Sequence, residues 1–239
     1  DQYCAAVGTG VTTPGEVLLS CGTAWIVLAV PETLEAGLES GMAVSCHAVE
    51  GRWGGIRSLG GLGAAMEWFL REVWSRRTAD RPDRAALYAE LNAAVARAPA
   101  GSSGLLFYPI TGGHAAAAGP SGFLGLGLEH VGDDMARAVM EGIAFELRWA
   151  MDEIRGHGVA VEALKMVGGA AESPVWPQIV ADVTGVPVVL PDVAQAAAQG
   201  AAILAGVGAG TYANVEQGFG AMRRQETSLT PRPEAVRRY

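Results

Sequence analysis

Four short segments combine residue types that could do chemistry. The first is Ser20-Cys21-Gly22-Thr23, set between two apolar runs. A glycine in a tight turn exposes backbone N–H groups, and a threonine hydroxyl adds a donor. Together they suit the terminal phosphates of a nucleotide. An ordinary β-turn is the plainer alternative. The second runs from Val167 to Trp176, where an apolar run ends in Gly168-Gly169 and passes through Ala170, Glu172 and Ser173 to Pro174. Such a turn lets a flat ligand approach the backbone beside a helix start. A tightly packed strand-to-helix loop would read the same way. The third is Asp1-Gln2, a carboxylate and an amide able to accept from and donate to a polyol, with Asp1 available as a base. A solvated pair is the alternative. The fourth is Gly104 in Gly101-Ser102-Ser103-Gly104, either the wall of a nucleotide pocket or a plain loop glycine.

Other reactive residues read as structural. His47 falls in a strand, and His130 and His157 fall near helix ends; no two have ligand spacing, so no metal site is expected. His114, in a Gly-rich loop, either touches a substrate or faces solvent. The six tryptophans (25, 53, 68, 74, 149 and 176) read mostly as core. The one lysine, Lys165, lies outside any GxxxxGK[ST] pattern, which removes the P-loop reading. No GxGxxG, GxSxG or HExxH occurs either. Acids outnumber bases 25 to 17, for a formal net charge of -8. A nucleic-acid partner needs a basic footprint and is not expected. Three cysteines without metal-type spacing read as reduced thiols, which places the chain in the cytoplasm. The apolar run Val17–Val30, broken by Ser20, Gly22 and Thr23, is too short to span a membrane.

The elements that must hold these segments can be read from periodicity. Residues 1–10 predict a short helix or turn. Glu16–Cys21 and Ala24–Val30 predict a hairpin, and Ala43–Val49 a third strand, with Gly51 and Gly54-Gly55 as turn signals. Leu62–Trp74 and Ala85–Ala98 carry helical spacing. Leu105–Tyr108 reads as a short run, and Ile110–Gly127 as an ordered loop. Asp133 or Asp134 caps a long helix to about Gly156. Strand Ala163–Val167, helix Pro174–Thr184, strand Val186–Leu190 and helix Ala194–Val207 then alternate. The tail after Thr211 reads as polar surface. Antiparallel strands followed by βαβ crossovers give a mixed five-stranded sheet flanked by helices, an α/β fold of the ribonuclease H-like, actin-like ATPase kind.

Taken in order, these segments resemble the C-terminal domain of the FGGY carbohydrate kinases, from Asp1 to about Gly210. Asp1-Gln2 through Gly8 resembles the family's Asp-Gln/Asn segment. Pro14-Gly15-Glu16 through Ala24 resembles its phosphate-binding hairpin, and His47–Trp53 a strand-turn of xylulokinase-like members. Gly122–Leu126 followed by Asp134–Glu141 is similar to its most specific signature, and Gly168–Trp176 looks like its adenosine motif. The family's Asn-Gly-Glu-Arg-Thr-Pro loop is replaced here by Ile110–Gly119, and Ser173 stands where some members have Asn.

The resemblance implies ATP-dependent phosphorylation of a sugar or polyol hydroxyl, with a xylulose-like pentulose foremost. It implies Asp1 as catalytic base and Asp1 and Gln2 as substrate contacts. Gly22, Thr23, Gly104, Gly168, Gly169, Ala170 and Ser173 become nucleotide contacts, with ATP and Mg²⁺ as cofactors. It also implies an N-terminal actin-like domain of the same kinase as partner, an inactive isolated domain, and leaves a homodimer open. Two other readings are compatible with these residues. One is a non-catalytic nucleotide-binding module or kinase fragment without turnover. The other is an actin-like ATPase of the chaperone or acetate-kinase kind, sharing only the fold.

Overall fold

The computed structural model describes residues 1–77, 83–109 and 121–239. Helix α1 (Gln2–Thr9) leads into β1 (Gly15–Cys21) and β2 (Trp25–Ala29). Then come α2 (Leu34–Glu39), β3 (Ala43–Cys46), β4 (Trp53–Ser58), α3 (Leu62–Phe69) and α4 (Arg84–Arg97). A small hairpin, β5 (Leu106–Tyr108) and β6 (Gly122–Leu124), precedes the long α5 (Gly132–Gly156). The chain continues through β7 (Val161–Gly168), α6 (Trp176–Thr184), β8 (Val188–Pro191), α7 (Ala196–Gly208), α8 (Val215–Met222), β9 (Glu226–Leu229) and α9 (Pro233–Val236).

The main sheet runs β3-β4-β2-β1-β7-β8-β9. The pairs β1–β2, β2–β4, β3–β4 and β8–β9 are antiparallel, while β1–β7 and β7–β8 are parallel. This is the expected mixed sheet of an actin-like ATPase domain, but with seven strands among the described residues rather than five. Both additions have a physical reason. Gly54 and Gly55 lie inside β4 rather than in a turn, because neighbours press on the strand there. A Cβ on Gly54 would lie 2.3 Å from the Tyr3 ring, and one on Gly55 2.6 Å from the Met42 methyl. β9 is a polar edge strand without an apolar signature, since only one side of it pairs. The tail is therefore not plain surface: Val215 and Ala235 are buried.

Alternation along β1 and β2 divides the core into two layers. Val17, Leu19, Trp25 and Val27 face a large cluster with α3, α4, α5 and α6. Leu18 and Leu28 face Ala5, Ala6 and Ala196 on α1 and α7. Helices thus cover both faces, as parallel strand pairs require. α5 buries Ala136, Val139, Met140, Ile143, Leu147, Ala150 and Ile154 along one stripe, the 3- and 4-residue spacing of an amphipathic helix. Its N-cap is Val131, not either aspartate. Asp134 instead reaches back to accept from Val131 N (3.0 Å), and Asp133 pairs with Arg97 (2.7 Å).

Other boundaries differ too. The predicted Leu62–Trp74 helix turns π-helical at Leu70–Trp74. β3 stops at Cys46, so His47 lies just beyond the strand. Trp68 and Trp149 are exposed, unlike the buried Trp25, Trp74 and Trp176. The loop expected at Ile110–Gly127 falls outside the described residues up to position 120, and with it His114. Lys165 is 7% exposed on β7, where its ammonium donates to Thr9 O at the C-terminus of α1 (2.9 Å) and pairs with Glu16 (3.2 Å). Among the described residues no helix is long and apolar enough to cross a membrane.

Candidate nucleotide cleft

β1 and β7 lie side by side and parallel, with Cys21 opposite Gly168 at their C-terminal ends. In α/β sheets ligands bind outside those ends. A cleft of about 1360 Å³ opens there. The three-residue turn Gly22-Thr23-Ala24 forms one wall. It is held in place from below: Ala64 N donates to Thr23 O (3.1 Å), and a Cβ on Gly63 would lie 2.1 Å from Gly22 O. The turn is exposed, and the Thr23 hydroxyl has no hydrogen-bond partner among the described residues.

The opposite wall is the turn after β7. Gly168 adopts φ +93°, and a Cβ there would sit 2.6 Å from Cys21 O, so glycine is required twice over. Gly169 faces open space with nothing within 4 Å of a built Cβ. Gly169–Glu172 form a single 3₁₀ turn, and Ser173 fastens the entry into α6. Its hydroxyl oxygen accepts from Val175 N (3.3 Å) and Trp176 N (3.1 Å), at the start of that helix. Its proton goes to Asn92 Oδ1 on α4 (2.8 Å). The floor is aromatic: Trp25 and Trp176 pack at 5.3 Å between ring centroids, and the Trp176 indole Nε1 is buried without a partner among the described residues.

Helices α3 and α4 supply the third side. Glu67 accepts from Arg84 (2.9 Å) and from the Tyr88 hydroxyl (3.1 Å). Burial, then the Glu67 carboxylate, push the Tyr88 phenol above its ordinary value. The Glu67 hydrogen bond raises Arg84 further. The rim therefore carries a fixed charged cluster, and the interior is mostly apolar, the usual make-up of a small-molecule site.

The structure brings together Gly22, Thr23, Gly169, Ala170 and Ser173 along one cleft. Gly168 does not line it but sets the register of the turn that does. Gly104 does not line it either. It belongs to a left-handed run, Gly101 to Gly104, in which Ser102 (φ 46°) and Ser103 (φ 57°) are also positive. Buried Glu141 holds that run by accepting from Gly101 N (3.0 Å) and Ser102 Oγ (2.8 Å). Arg137 and the Tyr239 hydroxyl complete the network around the same carboxylate. Glycine at 104 thus answers to backbone geometry.

Asp1 and Gln2 also stand apart from the cleft, at the start of α1. Asp1 is exposed and makes no side-chain cap. Gln2 Oε1 is buried without a partner among the described residues. The first turn of α1 is anchored by Tyr3, whose hydroxyl donates to Gly54 O (2.8 Å) and accepts from Ser45 Oγ (2.7 Å). His47 packs edge-on against Tyr3, and burial holds its pKa below the ordinary value.

Sequence reasoning missed the α3 and α4 wall: Glu67, Tyr88 and Asn92. A signal existed in the alanines at 85, 89, 93 and 96, which keep one face of α4 low while that face carries Tyr88 and Asn92. Among the described residues no three His, Cys, Asp or Glu side chains gather as metal ligands.

The C-terminal domain model of the FGGY family of carbohydrate kinases matches residues 17–209. The chain is 27% identical to the xylulose kinase of Bacillus subtilis (strain 168) over 243 residues, covering 100% of this chain and 47% of that relative. It is 32% identical over 175 residues to the L-xylulose/3-keto-L-gulonate kinase of Escherichia coli (strain K12), 73% of this chain and 33% of the relative. The crystal structure of xylulose kinase from Rhodospirillum rubrum superposes with a TM-score of 0.86 at 28% identity, over 99% of this chain and 47% of that one. The chain spans about half the length of the curated relatives it matches.

Proposed function

We propose, because this chain belongs to the FGGY family of carbohydrate kinases, that it forms the nucleotide-holding half of an ATP-dependent sugar kinase. The reaction is transfer of the terminal phosphoryl group of ATP to a hydroxyl of a sugar or polyol, with a xylulose-like pentulose as acceptor. The relatives named xylulose kinase motivate that acceptor. One observation carries the reading: Gly22-Thr23 and Gly169–Ser173 face each other across one cleft at the ends of adjacent parallel strands.

The cleft fits a nucleotide. Its volume exceeds the few hundred Å³ a nucleoside needs. The open space at Gly169 admits a ligand against the backbone. Thr23 and the Gly22 turn bind the terminal phosphates, and Ala170 and Ser173 line the nucleoside end. Phosphoryl transfer needs mainly in-line positioning and charge stabilisation, which backbone donors provide without a P-loop lysine. The Mg²⁺ that accompanies ATP would supply charge neutralisation at the phosphates, and among the described residues of this chain no carboxylate cluster would hold it. Asp1 takes the proton of the attacking hydroxyl, and Gln2 orients the acceptor. The N-terminal domain of the same kinase closes over both substrates and excludes water.

The test is ADP release by the full-length protein with ATP, Mg²⁺ and a panel of pentuloses, hexuloses, polyols and aldoses. One acceptor should stimulate release strongly, and Asp1→Asn should abolish that response while ATP still binds. ATP binding without a response to any acceptor would replace the kinase reading with a non-catalytic nucleotide module.

A further inference from the structure

We infer that Asn92 sets base specificity in this cleft, by donating its side-chain NH₂ group to a ring-nitrogen acceptor of a purine. The inference rests on the cleft holding a nucleotide. Its origin is a count of hydrogen bonds at Ser173. A serine hydroxyl has one proton and two lone pairs. Both lone pairs are engaged, by Val175 N and Trp176 N. The single proton must then be donated, and the atom that receives it 2.8 Å away must be an acceptor. Asn92 therefore turns its Oδ1 to Ser173, and its NH₂ points elsewhere.

That NH₂ group donates to no described residue. Asn92 is half-buried on the cleft side of α4, flanked by Ala89 and Ala93, which are too short to cover it. The group is open to the cleft rather than sealed off, so a ligand can take the place of water on it. Here a locked donor pair faces a cleft whose opposite wall at Gly169 is open backbone, which admits a flat heterocycle that presents an acceptor at its edge. Purine ring nitrogens have that chemistry, and a side-chain amide reads them in other contexts.

The experiment measures binding of ATP and of 1-deaza-, 3-deaza- and 7-deaza-ATP to the full-length protein by calorimetry, each analogue lacking one ring nitrogen. One analogue should bind about tenfold more weakly than ATP, the loss of a single hydrogen bond. Asn92→Asp keeps the oxygen that Ser173 needs but replaces the donor with an acceptor. It should weaken ATP by at least about tenfold and erase the difference between ATP and that analogue. A role confined to holding Ser173 predicts no change in Asn92→Asp. All three analogues binding wild-type protein as ATP does would overturn the inference and leave the nucleotide reading intact. A deaza effect that persists undiminished in Asn92→Asp would also overturn it. No binding of ATP to the wild-type protein would remove both.

Discussion

Two adjacent glycines at the end of β7 separate stability from binding. At Gly168 a side chain would meet the Cys21 backbone at 2.6 Å in a left-handed conformation. Gly168→Ala should cost about 1–3 kcal/mol of stability, seen as a lowered denaturation midpoint, since neither the φ nor the neighbouring strand can give. At Gly169 nothing opposes a methyl group. Gly169→Ala should fold normally, whereas Gly169→Leu should keep its stability and lose nucleotide affinity on titration. Equal affinity in Gly169→Leu would remove Gly169 from the nucleotide wall. A third residue, Tyr239, gives a pH signature. Burial, then the Glu141 carboxylate, push its phenol up to about 12. The folded state favours the protonated phenol, so this contribution is complete below the unfolded value near 10. It is lost as pH rises through about 12. Chemical denaturation across that window should show a smaller alkaline decline in Tyr239→Phe than in wild type.

At the scale of elements, α1 is the piece that carries Asp1, and its placement depends on two close approaches to α7. A Cβ on Gly200 would lie 1.7 Å from Cys4 O, and one on Gly8 2.0 Å from Ala196 O. Gly200→Ala must push the helices apart and move the Asp1 end of α1. If the proposed function holds, in the full-length protein it should lower kcat at least about tenfold while nucleotide affinity stays near normal, because α7 does not touch the cleft. Initial rates combined with binding titrations would show this, and an unchanged kcat would cut the link between α1 and catalysis. Legibility in the sequence divides along the same lines. The β1–β2 hairpin and the β7–α6 turn announce themselves through alternation and paired glycines. Those two signals also give one cleft wall each. β4 stayed hidden because Gly54-Gly55 reads as a turn until Tyr3 and Met42 are known to press on it. β9 stayed hidden because an edge strand needs no apolar face. A glycine such as Gly104 shows in the sequence only that freedom is required, not what for; the structure adds its positive φ of 92° in a run that Glu141 holds at Gly101 and Ser102.

For the whole molecule, the proposed function makes the chain one side of a reaction centre. The cleft opens at one end of the sheet, while Asp1 projects from the start of a helix on the other layer. The curated relatives run to about twice this length. The 239-residue chain produced alone should therefore bind ATP and release no ADP with any acceptor. Mixing it with the N-terminal domain that the proposed function calls for should restore turnover, measured by coupled ADP assay. Turnover by the chain alone would show that a second half is unnecessary.

The chain has a single lysine, and that side chain is folded away between β1, β9 and the end of α1. When these 239 residues are produced alone, a reagent that acylates primary amines will find only the α-amino group on the native surface. Each molecule that opens far enough to release Lys165 acquires a second label, irreversibly. The mass spectrum of a slowly labelled sample then becomes a clock for rare opening events, read from one atom, with no mutation and no probe added.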